Sequence, residues 1–123
     1  MMDEPKLIAQ FEMDPDGAPK IIDARGKKHY KIVFKVKDAP EAYAATFELD
    51  PSYIDPVRNV SPDTIGEFAL KTTTYGDYAV KVLLQTKEGQ LQLTDSVSNA
   101  LSRGTGPERS ALIDEALAYI KEH

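Results

Sequence analysis

Two short stretches carry the residue types most suited to gripping a ligand. Leu49 to Arg58 reads Leu-Asp-Pro-Ser-Tyr-Ile-Asp-Pro-Val-Arg, and Thr72 to Tyr78 reads Thr-Thr-Thr-Tyr-Gly-Asp-Tyr. Each sets an aromatic ring beside small hydroxyl residues: Tyr53 next to Ser52, and Tyr75 next to Thr74. Proline, glycine and aspartate in both favour turn conformations, so both are read as loops. If the loops meet at one end of the fold, Tyr53 and Tyr75 form two walls of a slot. Paired tyrosines offer flat apolar area at low entropic cost, with hydroxyls at the ring edge for hydrogen bonding. That is the chemistry of recognition. The competing reading makes either ring a core plug or a loop anchor. Tyr78, in phase with Val80 and Val82, is read as core.

Other chemistries find little support. The absence of cysteine removes disulfides, thiolate metal sites and cysteine nucleophiles, and only two histidines occur, one of them terminal. A triad of Ser52, His29 and an aspartate lacks the Gly-x-Ser-x-Gly elbow. Asp14-Pro15-Asp16-Gly17 lacks the further acids of a calcium loop and reads as a turn. Gly104-Thr105-Gly106 has no following lysine and no phosphate-cradle context. Lys27-Lys28-His29 is too short for a nucleic-acid patch. No enzyme activity, metal or cofactor is expected.

The elements that must position the two loops are legible in the periodicity. Lys6–Met13, Lys20–Asp23, His29–Lys37, Tyr43–Leu49, Glu67–Lys71, Tyr78–Thr86 and Gln90–Thr94 alternate apolar and polar residues. In the third, Tyr30, Ile32, Phe34 and Val36 share one face, opposite Lys31, Val33, Lys35 and Lys37. Lys87-Glu88-Gly89 reads as a hairpin turn in which glycine supplies a positive φ. Short strands with frequent turns and no crossover helices predict an all-β protein, an antiparallel β-sandwich of seven to eight strands. After Thr94 the period becomes helical. Asp95–Arg103 predicts two turns with Gly104 just past the end, and Pro107 starts a second helix running to the C-terminus. Leu112, Ile113, Ala116, Leu117 and Ile120 form its apolar stripe, which must dock on the sandwich or on a partner. The expected division is a sandwich over 1–94 and a C-terminal α-helical extension over 95–123.

Composition sets the outer limits. The chain has 123 residues, 41% apolar and 28% charged, which is ordinary globular usage for one domain. Twenty acids against fifteen bases leave a net charge of −5, which argues against a general binder of nucleic acid or anionic membrane. MMDEPKLIAQ lacks the basic start and apolar run of a signal peptide, and no apolar stretch is long enough to span a bilayer. A cytoplasmic protein is expected.

At the two loops the sequence resembles YEATS domains, in particular their prokaryotic branch. The carrying residues are the strand Ala45–Leu49 with Ser52, Tyr53, Pro56, Arg58 and Val60 behind it, and the turn Tyr75-Gly76-Asp77-Tyr78 opening a long strand. The likeness spans about Tyr30 to Leu93. It implies an immunoglobulin-like sandwich and, by analogy with eukaryotic members, a reader of acylated lysine in a protein or peptide. On that analogy Tyr53 and Tyr75 are the walls, Ser52 the amide-binding hydroxyl, and Tyr75 or Gly76 the backbone donor to the acyl oxygen. Asp50 stands where eukaryotic readers commonly carry His, and Tyr75 where they often carry Trp. An ionised Asp50 cannot donate a hydrogen bond, and it would favour a basic group over a neutral one. The alternative function is a structural adaptor of a bacterial signalling or defence system, acting through the C-terminal helix or a sheet edge.

Overall fold

The computed structural model describes residues 5–24, 27–51, 53, 55–62, 67–105 and 111–122. Ser52, the Arg25-Gly26 pair and the Pro107-Glu108 helix start lie outside the described residues. The chain runs β1 (Lys6–Phe11), β2 (Ile21–Ala24), β3 (Lys27–Lys37), β4 (Ala42–Glu48), β5 (Val57–Val60), β6 (Phe68–Thr74), β7 (Ala79–Thr86), β8 (Gly89–Ser96), α1 (Val97–Thr105) and α2 (Ala111–Glu122). All strand pairs are antiparallel. One sheet is built on β3, with β6 along one edge and β1 and β2 end to end along the other. The second sheet has the order β5-β4-β7-β8. This is an antiparallel sandwich of eight strands with C-terminal helices.

The alternation read from β3 decides which face is core. Tyr30, Ile32, Phe34 and Val36 are buried, as are Val80, Val82 and Leu84 of β7 opposite them. Phe34 and Phe47 meet across the two sheets with ring centroids 6.3 Å apart. At Gly89 φ is 129°, as the hairpin requires of a glycine.

Four expectations need correction. The stretch after Pro56 was expected to be loop throughout, yet Val57–Val60 is a strand paired with β4. It is a short edge strand whose Val57 side chain is exposed, so no alternation advertises it. Thr72–Thr74, expected to open a loop, continues β6 against Ile32, Lys31 and Tyr30. Asp95 and Ser96 end β8, so α1 starts two residues later than expected. Gly104 lies inside α1 and has no positive φ. Its hydrogen faces β1, where a Cβ would stand 1.9 Å from the Ala9 carbonyl oxygen.

Both helices dock on their own sandwich. Val97, Ala100 and Leu101 of α1 are buried in the same core as Ala116, Leu117 and Ile120 of α2. Arg103 donates to the Leu7 carbonyl from Nε at 3.2 Å and Nη2 at 2.9 Å, and Gln10 Nε2 donates to the Gly104 carbonyl at 3.3 Å. Arg103 also pairs with Asp95. Asp95 is held below the usual carboxylate range: partial burial works against this, but hydrogen bonds from Arg103, Asn99 and the Ser96 N–H outweigh it. The packing shields the edge of β1, which would otherwise be open to a foreign strand. A 12-residue helix such as α2 is marginal alone. Burying Leu117 and Ile120 contributes about 1.5–3 kcal/mol each, which offsets that. Tyr119 adds an edge contact to Tyr30 at 5.8 Å and accepts a hydrogen bond from the Lys28 N–H. Leu112, expected in the stripe, faces solvent.

Candidate functional site

β4 and β6 end, and β7 begins, at the same pole of the sandwich, so the loops that follow Leu49 and Thr74 meet there. They enclose a cleft of about 220 Å³ lined by Asp50, Tyr53, Thr74, Tyr75, Gly76, Asp77 and Tyr78. Of the residues expected from sequence, the structure brings Asp50, Tyr53, Thr74, Tyr75 and Gly76 together around one space; Ser52 is not among the described residues.

The individual groups differ from what the sequence alone implied. Tyr53 is half-buried, and its hydroxyl donates to the Thr73 carbonyl at 2.5 Å, which ties the first loop to the end of β6. Tyr78 packs against the core, as its phase implied, and is also a wall of the cleft. It is half-buried, its ring meets Tyr53 edge-on at 5.7 Å, and its hydroxyl donates to the Tyr53 hydroxyl at 3.1 Å. The expected phase with Val80 holds, since the intervening Ala79 is exposed and Val80 is buried, although β7 itself begins only at Ala79. Tyr75 leans on His29, with centroids 5.3 Å apart and planes 44° apart. His29 was read only as part of a strand entrance. Its register opposite Ile22 at the end of β3 places it behind the cleft wall, and no local motif announces that.

Thr74 is buried, and its hydroxyl donates to the Gly76 carbonyl at 2.7 Å, so it shapes the loop from inside. The Gly76 N–H points to the same hydroxyl at 3.4 Å. Asp50 accepts the Tyr53 N–H through its carbonyl at 3.1 Å, closing a turn, and the residue lines the cleft.

Asp77 has a role that the sequence reading missed. Its carboxylate accepts the Ser98 N–H at 3.0 Å and the Ser98 hydroxyl at 2.7 Å. The Val97 N–H donates to the Tyr78 carbonyl at 3.0 Å, and the Asn99 N–H to the Ser96 hydroxyl at 3.1 Å. The first three N–H groups of α1, which have no partner within the helix, are thus satisfied from outside it. Asp77 also sets a negative charge at the positive end of the helix. The second loop of the cleft is therefore clamped to α1.

The tyrosine hydroxyls are held neutral. Burial pushes Tyr78 far above its ordinary value of 10.0, and the neighbouring Tyr53 adds to this. Burial also raises Tyr53, partly offset by the hydrogen bond from Tyr78. The folded chain keeps protons that the unfolded chain releases near pH 10. The stability this contributes is complete below that pH and is lost as pH rises through the unfolded value toward the folded one. Replacing Tyr78 with Phe removes one such proton. Its unfolding free energy should fall less steeply above about pH 10, by about 1.4 kcal/mol per pH unit. Urea midpoints of wild type and Tyr78→Phe across that range check this; parallel curves would contradict it.

The sandwich is similar to solved YEATS structures. The crystal structure of yeast AF-9 homolog protein Yaf9 matches with a TM-score of 0.52 and 15% identity, over 79% of this chain and 70% of that one. A structure described as the Yaf9 YEATS domain recognizing an H3K122suc peptide matches with a TM-score of 0.54 and 13% identity, over 91% of this chain and 87% of that one. No protein-family model and no curated protein matches the chain. Among the described residues no helix is long and apolar enough to cross a membrane. At such low identity the likeness is one of architecture, and the architecture is YEATS-like.

Proposed function

We propose that this chain is a non-enzymatic recognition module that takes one side chain of a protein or peptide into the cleft between the two loops. The observation that carries the reading is the convergence of Tyr53, Tyr75 and Tyr78, drawn from loops some twenty residues apart, around about 220 Å³ of open space. Such a space suits a single flat or chain-like group, and tyrosine side chains supply contact area without much entropy loss. The similar Yaf9 structure with its H3K122suc peptide supports a peptide ligand and makes acylated lysine the first guest to test. Acylation removes the lysine charge, and the neutral planar amide stacks on a ring where a hydrated ammonium would have to lose water. The sequence resemblance at Tyr53–Val60 and Tyr75–Tyr78 alone extends the reading to the prokaryotic branch, and the signal-free start MMDEPKLIAQ alone to a cytoplasmic setting.

The test is a binding titration with peptides bearing acylated or unmodified lysine. Tyr75→Ala should keep the wild-type unfolding midpoint nearly unchanged and weaken binding by about 1–3 kcal/mol. Equal affinity of wild type and Tyr75→Ala for every peptide would remove the cleft from consideration. Of the adaptor alternative's two surfaces, the apolar stripe of α2 is taken up, because Ala116, Leu117 and Ile120 are buried against the sandwich; the sheet edge is the one left to it.

A further inference from the structure

The outer face of the β1-β3-β6 sheet is basic in an acidic protein. Register places Lys31, Lys35 and Lys37 of β3 on that face, with Lys6 opposite Lys37 on β1 and Lys71 opposite Val33 on β6. Residues paired across an antiparallel sheet project to the same side, so these five lysines share one surface. Among the described residues the acids on it are Glu12, which pairs with Lys71 at 4.0 Å, and Glu67, one residue before β6 and so opposite in phase to the buried Phe68. Five lysines against two glutamates contrast with a chain total of −5. Between the lysines lie Ile8, Gln10, Val33, Ala69 and Thr73, which make the floor flat and nearly uncharged.

We propose that this face docks an acidic, extended polypeptide segment. Lys31 to Lys37 covers about 20 Å along the strand and the three strands about 10 Å across, the footprint of a short extended peptide. Duplex nucleic acid fits less well. Its charges recur about every 1.7 Å along the axis and would run past the strip over the acidic remainder of the surface. The strip also has a direction. Beyond Lys31 the same face continues to His29, whose ring backs Tyr75 of the cleft. An acidic run along the strip thus leads to the cleft, and only this continuity rests on the proposed function.

Fluorescence anisotropy of the full chain tests the proposal with labelled oligoglutamate, oligolysine of equal length and a short DNA duplex as probes. Oligoglutamate should bind, oligolysine should not, and the affinity should fall with salt. The triple variant Lys31→Gln/Lys35→Gln/Lys37→Gln should weaken oligoglutamate about tenfold, whereas Tyr75→Ala should leave it unchanged. If the triple variant does not fold, the Lys35→Gln/Lys37→Gln pair should give a smaller loss of the same sign. Undiminished binding by a folded lysine variant, or no binding of oligoglutamate by wild type, overturns the proposal. So does tighter binding of the duplex than of oligoglutamate. No binding of acyl-lysine peptides by the wild type, with oligoglutamate binding intact, would sink the cleft reading alone.

Discussion

Gly104→Ala is expected to lower the unfolding free energy by about 3 kcal/mol, the upper end of the usual cost of overpacking. Helix propensity points the other way, since alanine inside a helix is favoured over glycine by about 1 kcal/mol. Contact geometry decides the sign. The new Cβ would stand 1.9 Å from the Ala9 carbonyl oxygen and 2.8 Å from its carbon, both backbone atoms that no rotamer change can move. The helix would have to retreat from β1, and retreat stretches the bonds from Arg103 to the Leu7 carbonyl and from Gln10 to the Gly104 carbonyl. Urea denaturation checks the result: a midpoint equal to or above that of wild type would show that α1 does not approach β1 so closely.

Asp77→Ala should cost about 2 kcal/mol of stability and weaken ligand binding as well. The substitution leaves the Ser98 N–H without its acceptor and strips the buried Ser98 hydroxyl of its ionised partner. Loss of a capping side chain typically costs about 1 kcal/mol, and an unsatisfied buried group adds a further 1–3 kcal/mol. Ser96 Oγ, 3.3 Å from the Ser98 hydroxyl, can take up part of that loss, which keeps the sum near the lower end. The binding effect follows from position, since Asp77 lies between Gly76 and Tyr78 in the cleft-lining loop. Asp77→Asn retains one acceptor oxygen and should lose about half as much stability. Denaturation and peptide titration on the same two variants separate the effects. A fall in stability without any change in binding would show that the loop holds its shape independently of α1.

These expectations mark where sequence reasoning succeeded. The strands of the two-residue period were legible because burial on one face demands alternation, and β3 shows it over Tyr30 to Lys37. β5 escaped because an edge strand with an exposed Val57 carries no such demand. Tyr53 and Tyr75 stood out because rings beside turn formers are unusual in a loop. Tyr78 did not, since a ring next to a buried strand looks like its continuation. Asp77 was read only as part of a turn; its partner Ser98 is 21 residues away, and no local pattern records such a pairing. Gly104 was read as the residue past the helix end but lies inside α1, and the strand it meets lies more than ninety positions earlier in the chain.

By itself the amino-acid sequence determined the two-face patterning of the strands, the turn positions, the apolar stripe of the last helix and the pair of ring-bearing loops. These depend on residue type and local spacing, because burial and backbone conformation act within a few residues. The tertiary structure alone decided that the loops meet at one pole, that Tyr78 joins them, that Asp77 caps α1, and that five lysines from three strands share a face. Each is a contact between segments far apart in the chain, and register and packing, which act through space, are what create it.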